Sequence, residues 1–134
     1  MDPDVFKALI EQAPDALIFC DAAGVIRVWN AAAETLFGHP AAEALGASLD
    51  MIIPERLRDA HWAGFHRALG SGVPKYHGQV LTTRASHPSG ERLYVDLSFA
   101  LIRDSGGAIV GVLGAARRSA GRPASPDSAA TAKA

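Results

Sequence analysis

Apolar positions first recur at helical spacing, where Val5, Phe6, Leu9 and Ile10 follow Asp2 and Pro3. Asp2 suits a helix cap and Pro3 the first helical position, and Pro14 ends the segment. Two short apolar runs come next, ALIFCD at residues 16–21 and VIRVW at 25–29, separated by Ala22-Ala23-Gly24. That arrangement predicts an antiparallel hairpin with Gly24 at positive φ. Asn30 is placed to cap the helix AAAETLF (residues 31–37), which Gly38 stops. Pro40 opens a shorter helix, AAEAL, closed by Gly46. Residues 48–53 hold one turn of helix at most, ended by Pro54.

The longest helical signal runs over residues 54–69. Leu57, His61, Phe65 and Leu69 recur every four residues, with Gly64 and Ala68 between them, and form one stripe. Arg56, Asp59, Ala63 and Arg67 take the opposite face. After Gly70 the period changes to two, predicting strands over residues 79–87, 92–103 and 108–116. In the middle one, Leu93, Val95, Leu97, Phe99 and Leu101 share a face, against Tyr94, Asp96 and Ser98. Turns at residues 88–91 and 104–107 make the three an antiparallel meander. From Ser119 the chain is rich in Ala, Ser and Pro with no large apolar residue, so residues 119–134 are expected to be a disordered tail. The order of elements gives an α+β fold: a five-stranded antiparallel sheet, with short helices and one longer helix packed on one face.

Composition narrows the function. Hydrophobic residues make up 49% of the 134 and charged residues 20%, the balance of one soluble domain with its own core. The net charge is −1 and the basic residues are scattered, which argues against a nucleic-acid surface. Met1-Asp2-Pro3-Asp4 has no signal-peptide character, and no apolar run approaches the ~20 residues that span a bilayer. Cys20 is the only cysteine, so no intrachain disulfide forms, and a reducing, cytoplasmic location is expected.

The segments APDALIFCDAAGVIRVWNAAAETLFGHPAAEALG and HPSGERLYVDLSFALIRDSGGAIVGVLGAARR together resemble the PAS (Per-Arnt-Sim) sensor family. The resemblance implies a PAS sensor domain over residues 1–118, with residues 1–13 as an N-terminal helix. It also implies a signal receiver, bacterial-style, in signal transduction or transcriptional regulation. Such a domain binds a small ligand or cofactor between the longer helix and the sheet, and relays the signal through a homodimer or a separate effector, a kinase or regulator. Val5, Phe6, Leu9 and Ile10 are the candidate dimer contacts, having no obvious burial inside the domain. The alternative is a ligand-free protein–protein interaction module with a filled core. An enzyme is not expected: Glu34, Glu43, Glu55, Asp59 and Glu91 read as solvated charges, and no phosphate-binding Gly loop is present.

The helix segment IPERLRDAHWAGFHRALGSG is similar to that of the haem-binding oxygen-sensor PAS domains. Aligned without gaps, His61 falls on their proximal haem ligand, which makes haem b the candidate cofactor and His61 its iron ligand. His61 also reads as a satisfied, half-buried structural histidine. In those relatives an Arg on the following strand steadies bound gas; the matching position is near Leu81, with Arg84 three residues on. Leu57, Phe65, Tyr76, Leu97 and Phe99 complete the candidate ligand-binding set, and each also reads as ordinary core. Flavin-binding light sensors carry a reactive Cys after an Asn on an early helix. Here Cys20 lies on the first strand, which argues against a flavin. His61, His66, His77 and His87 fit no structural zinc spacing.

Overall fold

Period-two patterning in the second half of the chain produces three of the five strands, and the early hairpin supplies the other two. A computed structural model of the protein describes residues 1–73 and 78–120. Strands β1 (Ala16–Asp21), β2 (Ile26–Trp29), β3 (Leu81–Ala85), β4 (Leu93–Arg103) and β5 (Ile109–Arg118) form one sheet in the order β2-β1-β5-β4-β3. Every pairing is antiparallel. Helices α2 (Ala31–Phe37), α3 (Ala41–Ala44) and α4 (Arg58–Ser71) lie between β2 and β3 in the chain. Because β2 and β3 are the two edges, this connection has to cross the sheet, and the core lies beneath it.

Ile26, Leu93 and Val95 are the largest apolar side chains of that core with almost no exposure. Alternation explains β1, where Ala16, Ile18 and Cys20 are buried and Leu17 and Phe19 only partly so. Gly24 adopts φ +82° in the hairpin, as its place in the turn requires. A side chain there would also collide with the indole of Trp62, which packs on that turn.

Three expectations are corrected. The long helix is not continuous from residue 54: a 3-10 turn at Glu55–Leu57 precedes α4, which runs on to Ser71. Val25 leaves β2 to bridge Ser48, and Ile26 donates to Ala47 O, so the segment after α3 covers part of that edge. The expected third strand is shorter, five residues, because Ser86 N turns to Ile52 O instead of continuing along β4. The tail expected from residue 119 lies outside the described residues beyond Ala120, and Ser119 itself still donates to Tyr94 O.

Helix α1 (Pro3–Glu11) buries none of its residues, and Val5, Phe6, Leu9 and Ile10 are all exposed. What ties it to the domain is Asn30, which is 1% exposed. Its Oδ1 accepts from Ala33 N at 3.0 Å, capping α2, and from Leu17 N at 2.9 Å at the start of β1. Its Nδ2 donates to Ile10 O at 2.9 Å and Asp15 O at 3.0 Å. Removing a cap costs about 1 kcal/mol, and each buried group left unpaired costs about 1–3 kcal/mol more. Asn30→Ala should therefore lower stability in urea by about 3 kcal/mol, while Asn30→Ser, which keeps an acceptor, should recover part of the cap's share. A loss under 1 kcal/mol for Asn30→Ala would show that α1 and the hairpin do not depend on this side chain.

Candidate functional site

Helix α4 is held over the sheet by two side chains on its outer flank. Trp62 Nε1 donates to Asp50 Oδ1 at 2.6 Å. Arg58 donates to Ile53 O at 3.0 Å and Asp50 O at 3.2 Å. Gly72, at φ +76°, closes the helix by donating to Ala68 O. So anchored, α4 turns His61, Gly64, Phe65 and Ala68 inward, the stripe expected from spacing. His61 is 6% exposed, with Trp62 edge-on to its ring at 4.5 Å and Phe65 at 6.2 Å.

Between this stripe and the sheet is a cavity of about 80 Å³. His61 and Phe65 line it from the helix, Ile18 and Cys20 from β1, and Leu97 and Phe99 from β4. Thr83, Arg84 and Ala85 border it from β3. The space exists because β5 presents Val112, Gly114 and Ala116 on this wall. Gly114 pairs with Ile18 on one side and Phe99 on the other, so the centre of the sheet has no side chain there.

Most of the expected ligand set meets at this cavity. His61, Phe65, Leu97 and Phe99 share its wall. Leu57 does not: it is buried in the core behind the wall residues Ile52 and Ile53 without lining the cavity itself. The reason is the 3-10 turn that ends at Leu57, whose winding of about three residues per turn breaks the four-residue repeat before His61. Tyr76 and His77 lie outside the described residues. Arg84 does reach the wall, and it also borders a surface recess with Pro54, Glu55 and Arg56. Sequence reasoning passed over Cys20, Thr83 and Gly114 as wall residues. Gly114 carried a usable signal, since an interior strand glycine marks a close approach or a missing side chain.

Helix α4 offers an iron porphyrin a suitable nitrogen and the sheet an apolar wall. The space does not suit one: cofactor-sized pockets run to roughly 300–1,000 Å³, against about 80 Å³ here. Burial pushes the Cys20 thiol up to about 11, helped by the neighbouring Asp21 carboxylate. Its Sγ lies 3.9 Å from Val112 O, and no His, Cys, Asp and Glu cluster among the described residues is arranged to hold a metal ion. No helix among them is long and apolar enough to cross a membrane.

Residues 5–118 match the PAS fold family, and the chain belongs to it. It is 39% identical over 93 residues to an uncharacterized protein of Azorhizobium caulinodans, covering 69% of this chain and 13% of that protein. It is 36% identical over 55 residues to the sensor protein FixL of Bradyrhizobium diazoefficiens, covering 41% of this chain and 11% of FixL. The matched segments thus span only 13% and 11% of the two relatives' lengths. The crystal structure of a PAS domain from Colwellia psychrerythraea superposes with a TM-score of 0.74 at 21% identity, covering 87% of this chain and 95% of that one.

The Cys20 thiol gives the domain a pH dependence with a definite sign. Below pH 9 the thiol is protonated in both the folded and unfolded chains. Between about 9 and 11 the unfolded chain ionises first, so stability falls as pH rises, by at most about 2–3 kcal/mol. Urea unfolding at pH 8 and pH 10.5 should show a steeper loss in the wild type than in Cys20→Ala. Equal slopes would mean that the thiol is no harder to ionise in the fold.

Proposed function

We propose that this domain is the sensory input module of a signalling protein, with the cavity beneath α4 as its ligand site. The observation that carries the reading is the conjunction of His61 and Gly114: a buried imidazole faces a cavity that the sheet leaves open where β5 carries no side chain. A domain that only bound proteins would gain by filling that void, so the space favours a ligand over the interaction-only alternative. A thermal-shift screen of small compounds should find some that stabilise the wild type but not Leu97→Trp, whose indole would occupy the cavity. A screen in which every stabilising compound acts equally on both proteins would remove the reading.

Relay is proposed to run through a second copy of the chain, docked on the apolar face of α1. Val5, Phe6, Leu9 and Ile10 are 41–58% exposed among the described residues. A separate effector, a kinase or a regulator, would read the change in that contact. Light scattering on the wild type should give a dimer, and Phe6→Glu with Leu9→Glu a monomer of unchanged fold. A monomeric wild type at all concentrations would exclude α1 as a self-association surface.

A haem-based sensor is the second reading, favoured by His61 on the cavity wall and by the helix segment's likeness to haem-binding oxygen sensors. It requires α4 to stand further from the sheet than it does here. Hemin added to the wild type should give only the broad spectrum of the free compound, identical in His61→Ala. A sharp Soret band in the wild type, lost in the variant, would instead establish haem with His61 as its axial ligand.

A further inference from the structure

The wall of the cavity restricts the chemistry of what it can hold. Among the described residues that line it, none is an aspartate or glutamate, so a cation would meet no counter-charge inside. Its one formally charged residue is Arg84, which stands where the cavity abuts the surface recess of Pro54, Glu55 and Arg56. Arg84 alternates along β3 with the buried Thr83 and Ala85, and the rest of the wall, with Ile18, Phe65, Leu97, Phe99 and Gly114, carries no formal charge. An anion seated there would lose its hydration without gaining an ion pair. The same desolvation is felt by the wall itself, since burial holds the Cys20 thiol in its neutral form.

Hydrogen bonding on the wall is sparse and local. The Thr83 hydroxyl and the His61 imidazole border the cavity at its helix and edge-strand sides, and Cys20 adds a weak thiol donor. Size sets the other limit. A dry cavity of ~150 Å³ accepts benzene, and this one is about 80 Å³.

We infer that the occupant is a small neutral molecule of a few heavy atoms with one hydrogen-bonding group, a short-chain alcohol or ketone in chemical type. The inference rests on the cavity being the sensing site, as proposed above, and adds the ligand's charge and size. Gly114 is the residue that sets the size. Its φ is not in the left-handed region, and an added Cβ would find Leu97 Cδ1 at 3.6 Å and Ile18 O at 3.9 Å, ordinary contact distances. Gly114→Ala therefore takes up cavity volume without forcing the backbone.

The test is a heteronuclear NMR titration of the whole chain with ethanol, 1-propanol, propionate, ethylammonium and benzyl alcohol. Saturable shifts of Ile18, Leu97 and His61 are expected with ethanol and 1-propanol and with none of the other three. In Gly114→Ala, 1-propanol should bind about tenfold more weakly, the discrimination one methyl group confers in an apolar pocket, while ethanol changes less. Leu97→Ala, which enlarges the space, should admit benzyl alcohol and keeps the size rule testable if Gly114→Ala folds poorly. Propionate or ethylammonium shifting the same residues as strongly as 1-propanol would overturn the neutral class and leave the sensing cavity standing. Shifts from none of the five probes at any cavity residue, in wild type and Leu97→Ala alike, would overturn the sensing cavity and this inference with it.

Discussion

One side chain, Asn30, ties together four parts of the chain at the junction of β2 and α2. Its amide reaches the end of α1, the linker at Asp15, the first strand and the first turn of α2. The side chain itself is almost fully buried, and losing it would remove the acceptor of Leu17 N and Ala33 N and a donor to Asp15 O and Ile10 O. Asn is the residue that can do this, because it offers two acceptor sites and two donors on one short stem. Fixing β1 against β2 also fixes β5, which pairs with β1 along its whole length and carries the small residues at the centre of the sheet.

The cavity depends on two opposed requirements. The sheet must keep a gap at Gly114, and the helix above must not sink into it. Trp62 and Arg58 meet the second by bonding α4 to the segment around Asp50 and Ile53, and Trp62 rests on the Gly24 turn. The contacts that hold α4 off the sheet are therefore on its flank, leaving His61 and Phe65 to face the space. His61 is in ring contact with Trp62, its neighbour in sequence, and Trp62 rests on the Gly24 turn of the β1–β2 hairpin. That hairpin is bound through Asn30 to α1, which gives the cavity a continuous physical connection to the exposed apolar helix.

Much of the architecture was legible before any coordinates. The hairpin at Gly24, the cap at Asn30, the helix over residues 31–37 and the buried stripe of α4 follow from local spacing and turn chemistry. Boundaries were less legible. Leu57 continues the four-residue repeat in sequence, yet it lies in the 3-10 turn before α4 and is buried without reaching the cavity wall. The third strand ends early because Ile52, far away in the chain, takes the hydrogen bond of Ser86. Neither event has a local signal, since both are settled by partners distant in sequence.

By itself, the sequence determined which elements form and which face of each is apolar, because periodicity, caps and glycine turns act over a few residues. It also placed His61 on the inner face of the long helix, since a four-residue repeat fixes direction. Only the tertiary structure decided that Asn30 has four partners instead of one, and that Cys20, Thr83 and Gly114 share a wall with His61. The void itself belongs to no single element. Its volume is the difference between the spacing of helix and sheet and the bulk of the side chains between them, a quantity that exists only once β1, β4, β5 and α4 have come together.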